Sequence, residues 1–157
     1  MLEFKARTLL PNDLLALKYV HDGRLSPDGR AVAYVTSRTI EEPPEELFEI
    51  AIKDLVTGAH RELAFDGRAT FPRWSPDGAR LAFIGTKGGS TRIYIADANK
   101  YDVTALTPEG SEVQGPVSWS PDSSSIAYTV ITHRKSEGLR RIRGSPLSRR
   151  PPPYQLP

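Results

Sequence analysis

Apolar and polar residues alternate with a period of two in short bursts, and turn residues separate the bursts. The runs Ala31-Val32-Ala33-Tyr34-Val35, Leu81-Ala82-Phe83-Ile84 and Ile126-Ala127-Tyr128-Thr129-Val130 are three such bursts. Each sits a few residues after a tetrad of one kind: Ser26-Pro27-Asp28-Gly29, Ser75-Pro76-Asp77-Gly78 and Ser120-Pro121-Asp122-Ser123. Period two means a strand with one face buried. Proline at the second turn position presets φ, Ser and Asp bond nearby backbone N–H groups, and Gly at the fourth tolerates positive φ. Each tetrad therefore predicts a tight turn between two antiparallel strands. The third copy has Ser123 where the others have Gly29 and Gly78, which costs that turn some stability.

The tetrads recur at spacings of 49 and 45 residues, with Leu25, Trp74 and Trp119 immediately before them. A second strand pair follows the first two. Leu47–Asp54 alternates, Thr57-Gly58 turns and Arg61–Ala64 returns. Then Arg92–Asp97 alternates, Ala98–Lys100 turns and Val103–Thr107 returns. A repeat of this size holding four short antiparallel strands predicts one blade of a β-propeller. Trp74, Trp119, Tyr34, Phe83 and Tyr128 are expected to pack between blades.

The expected fold class is therefore all-β, an incomplete β-propeller of about two and a half four-stranded antiparallel blades. The blades cover about 21–64, 70–107 and 115–132 within a partial propeller of residues 21–133. Residues 1–20 form an N-terminal segment with a short amphipathic helix over Pro11–Val20, its apolar face carrying Leu14 and Leu17. Propellers close with about four to eight blades. The chain is thus expected to be a fragment of a larger ring, or to rely on partner chains for further blades.

Composition sharpens this picture at one end. Residues 134–157 contain five Pro, seven of the 21 Lys and Arg, and only Glu137 of the 19 acids. This basic, proline-rich tail is expected to be disordered. It accounts for the isoelectric point near 9.0, because residues 1–133 are net acidic. A basic nucleic-acid-binding domain is not implied, and no nucleic-acid partner is expected. Cysteine is absent, which excludes disulfides and thiolate chemistry. No apolar run approaches the roughly 20 residues of a membrane-spanning helix, and Asn12 and Asp13 interrupt the leading segment. The expected compartment is the cytoplasm, with no membrane partner.

Candidate chemistry is sparse. His21, His60 and His133 stand alone in sequence, without the spacing of a metal site or a triad. Asp28, Asp77 and Asp122 fall one to a turn and read as caps. The acidic loop Glu41-Glu42-Pro43-Pro44-Glu45-Glu46 lengthens a hairpin of the first blade. It reads as a solvated loop, with capture of a peptide amine as its sharper alternative. Gly88-Gly89-Ser90-Thr91-Arg92 lacks the last Gly of a nucleophile elbow and reads as a hairpin tip. No catalytic, cofactor-binding or metal-binding residue is assigned, and no cofactor is expected.

With these motifs in order, residues 8–133 resemble the N-terminal part of a prolyl oligopeptidase-family (S9) serine peptidase of the acylaminoacyl-peptidase-like branch. The resemblance rests on PNDLLALKYV running into RLSPDGRAVAYVTS, and on FPRWSPDGARLAFI, IYIADANKYDVTALT and VSWSPDSSSIAYTV. It implies a propeller that caps an α/β-hydrolase domain and limits entry to peptides. The Ser, Asp and His of catalysis belong to that domain, which has no counterpart here. The chain is expected to contribute substrate gating and domain contacts for hydrolysis of short or N-acylated peptides, and to be inactive alone. Its expected partners are the missing hydrolase domain or further blades, and a peptide substrate only in a full-length parent. The alternative is a TolB-like propeller module for protein–protein interaction.

Overall fold

The computed structural model describes residues 18–41 and 44–131. Ten strands run through them: β1 (Tyr19–Leu25), β2 (Ala31–Glu41), β3 (Pro44–Asp54), β4 (His60–Glu62), β5 (Arg68–Trp74), β6 (Arg80–Lys87), β7 (Ser90–Asp97), β8 (Val103–Ala105), β9 (Val113–Trp119) and β10 (Ile126–Val130). They pair in chain order into two four-stranded antiparallel sheets, β1 to β4 and β5 to β8, and a two-stranded sheet of β9 and β10. β5 packs across β1, β2 and β3, and β9 across β5, β6 and β7, while β4 makes no contact with β8. The first strand of each following sheet thus lies against the face of the preceding one, and the last strands stand apart. That is the fan of a partial β-propeller, and the fold is all-β.

The turn tetrads set the register. Ser26 Oγ donates to Asp28 Oδ1 at 2.6 Å and accepts the Ala31 N–H at 2.9 Å. Ser75 repeats this with Asp77 and Arg80, and Ser120 with Asp122 and Ser125. Each aspartate also accepts the N–H two residues on. The fourth residues, Gly29, Gly78 and Ser123, have φ of +70°, +72° and +60°. For Ser123 that left-handed conformation costs roughly 1 kcal/mol. The cost has a counterweight: Ser123 Oγ accepts the Asp77 N–H of the preceding sheet's turn at 3.0 Å, and Ser123 O accepts from the Arg80 guanidinium at 2.7 Å.

Alternation places the two faces of each sheet. Ala33, Val35, Ile50 and Ile52 of the first sheet share one core with Leu81 and Phe83 of the second. Ala82, Ile84 and Ile93, on the second sheet's other face, share another with Val113, Val117 and Ile126. Burying a residue such as Phe83 (0% exposed) stabilises by about 1.5–3 kcal/mol. Phe65, between β4 and β5, stands edge-on to Phe83 and Tyr94, with ring centroids 5.3 and 4.7 Å away. The sheets are also tied by the tryptophans. Trp74 Nε1 donates to Arg24 O, and Trp119 Nε1 to Arg73 O, both at 3.0 Å. The acceptor is each time the residue before the aligned position in the preceding sheet.

Four expectations need adjustment. Tyr19 and Val20, the end of the expected helix, are strand, paired with Ser37 and Thr36; residues 11–17 and the tail 134–157 lie outside the described residues. Tyr34 is only half-buried, its ring 6.2 Å from that of His60. It faces away from the second sheet, whereas Phe83 at the matching position faces the first. Trp74, Trp119 and Tyr128 do pack between sheets as expected, but half-buried at the edges of the cores rather than inside them. The outer strands β4 and β8 have three residues each, shorter than expected. At the second, Thr107 turns inward and its Oγ1, not a ladder carbonyl, accepts the Ile93 N–H.

The Ser123 contacts predict a split between two substitutions. Ser123→Gly relieves the strain and loses one inter-turn bond, so its unfolding free energy should change by less than about 0.5 kcal/mol. Ser123→Ala keeps the strain and loses the bond, at a cost of about 1–2 kcal/mol. Urea midpoints at constant m-value measure both.

Candidate functional site

The first strand of each sheet is interrupted. Register shifts fall between His21 and Arg24 in β1, between Thr70 and Arg73 in β5, and across 115–117 in β9. One left-handed residue sits in each: Asp22 at φ +45°, Phe71 at +56° and Gly115 at +67°. Such a bulge kinks the strand and re-aims the side chain it carries. Here all three residues, with His21, Thr70 and Gln114 just before them, line one open cavity of about 530 Å³ between the sheets. Its apolar wall includes Val35, Phe48, Ile84 and Val113.

Charge around the cavity is partly committed. Asp22 holds Arg24 through Oδ1 at 2.7 Å and Arg73 through Oδ2 at 2.8 Å, the latter from the next sheet. Arg73 also donates to Pro72 O. Arg68 lies over Phe48, its Cζ 3.8 Å from the ring centroid. Gly115 leaves open space where a Cβ would stand. Phe71 is 38% exposed. A bulky residue with φ near +60° is a steric outlier of a kind found at binding sites.

His21 Nε2 and Ser37 Oγ lie 2.9 Å apart. Ser37 is 1% exposed, so its hydroxyl cannot reach a substrate carbonyl, and the pair braces β1 on β2. His60 lies on β4 beside Tyr34, and His133 is outside the described residues. Asp28, Asp77 and Asp122 cap their own turns on separate sheets. Gly88 and Gly89, both at positive φ, form the two-residue tip of the β6–β7 hairpin. The acidic loop lies at the tip of the β2–β3 hairpin, where Glu41 pairs with Pro44; residues 42 and 43 are outside the described residues. Glu46, at its base, is exposed and lines a separate groove of about 740 Å³ with Arg68 and Lys87. No cluster of three metal-ligating side chains occurs among the described residues, and no helix there is long and apolar enough to cross a membrane. Sequence reasoning missed the bulge cavity. Its trace is a doublet that breaks each inner strand: Asp22-Gly23, Phe71-Pro72 and Gly115-Pro116.

Residues 18–136 match the family model of the TolB beta propeller domain, and the chain belongs to that family. It is similar to the uncharacterized peptidase YuxL of Bacillus subtilis, 35% identical over 126 residues, covering 79% of this chain and 19% of that protein. Among solved structures it superposes on the acylaminoacyl peptidase of Pyrococcus horikoshii with a TM-score of 0.67 at 23% identity, over 84% of this chain and 20% of that one. It also superposes on the propeller domain of the trilobed protease of Pyrococcus furiosus (TM-score 0.57, 27% identity, 71% of this chain and 33% of that one). The chain thus spans about a fifth of the length of its peptidase relative. It is a propeller homologous to the N-terminal part of peptidases.

The capping aspartates carry a pH dependence. Hydrogen bonds from Ser26, Ser75 and Ser120, then from backbone N–H groups, hold Asp28, Asp77 and Asp122 below the ordinary value of 3.8, Asp122 at about 2. Asp54 and Asp97 are lowered chiefly by the N–H groups of Thr57 and Lys100. A depressed folded-state pKa gives stability that is present above the unfolded value and lost as pH falls through the folded one. Thermal unfolding should therefore be insensitive to these groups above about pH 5 and weaken steadily between about pH 4 and 2. Replacing Asp28, Asp77 and Asp122 together by Asn should flatten that limb. An unchanged acid limb in the triple variant would refute the assignment.

Proposed function

We propose that this chain is the opening part of the propeller of a serine peptidase that acts on short or N-acylated peptides. Its part is substrate gating and contact with a catalytic domain; the catalytic groups lie outside it. The observation that carries this reading is the 35% identity with a peptidase over 126 residues, on top of the propeller family match. The family match alone suits an interaction module of the TolB kind equally well, and the peptidase relative favours the first reading. Gating would be compatible with the open cavity between the sheets, which Asp22, Phe71 and Gly115 line.

The purified chain should not hydrolyse a chromogenic acyl-aminoacyl substrate above the buffer rate, and should not be labelled by a fluorophosphonate. Turnover that coelutes with the 17.4 kDa chain and is blocked by that label would place a catalytic serine inside it and overturn the reading.

A further inference from the structure

The three bulge positions serve as an internal control. A residue at positive φ interrupts each first strand: an aspartate in β1, a phenylalanine in β5 and a glycine in β9, where the interruption is one residue longer. Glycine adopts positive φ freely and aspartate adopts it readily. Phenylalanine gains nothing from that conformation, yet Phe71 adopts it next to the buried Pro72, and it lines the cavity. Packing does not account for the ring, which stays 38% exposed.

Two more observations define what would lie against it. β1, β5 and β9 each pair on one side only, so their inner edges carry main-chain N–H and C=O groups with no ladder partner among the described residues. Such edges take extended chain. The charges at the cavity also lean one way. Asp22 is engaged by Arg24 and Arg73, while the Arg68 guanidinium, lying over Phe48, has no ion pair among the described residues. Glu49, near Arg68 on the groove side, is taken by Arg38 at 3.9 Å, and Glu46 lines that groove rather than the cavity.

We propose that this cavity is a peptide-binding site that takes an apolar side chain against Phe71 and a carboxylate of the same peptide on Arg68. The ligand class is a short extended peptide with an apolar residue next to a free carboxylate. The choice of a peptide rests on the functional reading above. The site itself rests on the bulge geometry and on a cation that has no ion pair among the described residues.

The test is binding, not hydrolysis, measured on the whole chain by calorimetry and amide chemical shifts. The probes are N-acetyl-Gly-Leu-Phe as the free carboxylate and as the C-terminal amide. The carboxylate should bind with shifts centred on Thr70 and Gln114, and at least about fivefold tighter than the amide. Phe71→Gly, which suits φ +56°, should weaken binding at least about tenfold with Tm lowered by no more than about 3 °C. Arg68→Gln should bring the two probes to equal affinity while keeping residual binding. Absence of binding up to about 10 mM, unchanged affinity in Phe71→Gly, or a carboxylate preference that survives Arg68→Gln would each overturn the site. None of these results depends on turnover, so the site can fail while the peptidase parentage stands.

Discussion

One hydroxyl group in each turn carries most of the architecture. Ser26, Ser75 and Ser120 each donate to the aspartate two residues on and accept the N–H five residues on, closing the turn from inside. Closing it fixes which residue of the first strand faces which residue of the second. A slip by one position would send every core side chain to the opposite face. The second sheet tolerates this least, because Leu81 and Phe83 belong to one core while Ala82 and Ile84 belong to the next.

The turns also act between sheets. Ser123 reaches back to the Asp77 turn, and Arg80 reaches forward to Ser123. The two indoles add a bond of the same kind from sheet to sheet, each onto the carbonyl of an arginine at the equivalent place. On the inner edge, Asp22 links Arg24 of its own strand with Arg73 of the next. Polar contacts at the turns, indoles beside them and ion pairs near the bulges add to the apolar cores in holding sheets whose outer strands do not touch.

Much of this was legible in the sequence, because turn chemistry and period-two alternation are local. The tetrads announced themselves through Pro and Gly at fixed offsets, and the strand pairs through alternation. What stayed hidden depends on neighbours. Whether an aromatic at the matched position is buried depends on whether a sheet lies on that side, so Phe83 is core and Tyr34 is not. The length of β8 was set by Thr107, whose hydroxyl replaces a ladder carbonyl. The cavity was hardest to foresee, since a bulge is one or two extra residues in a strand and alters no composition. The doublets at 22–23, 71–72 and 115–116 marked irregular backbone, but their convergence on one space needs the fan.

The two ends of the fan are chemically unlike. The side of the first sheet turned away from its neighbour presents Tyr34 beside His60, while the far side of the last pair presents Ala127 and Thr129, both exposed. A stack built this way has polarity. Two copies meeting through these ends would join head to tail rather than by a twofold axis, and such a join propagates until rotation brings it full circle. If the angle does not divide a full turn, the same geometry that builds a ring builds a fibre.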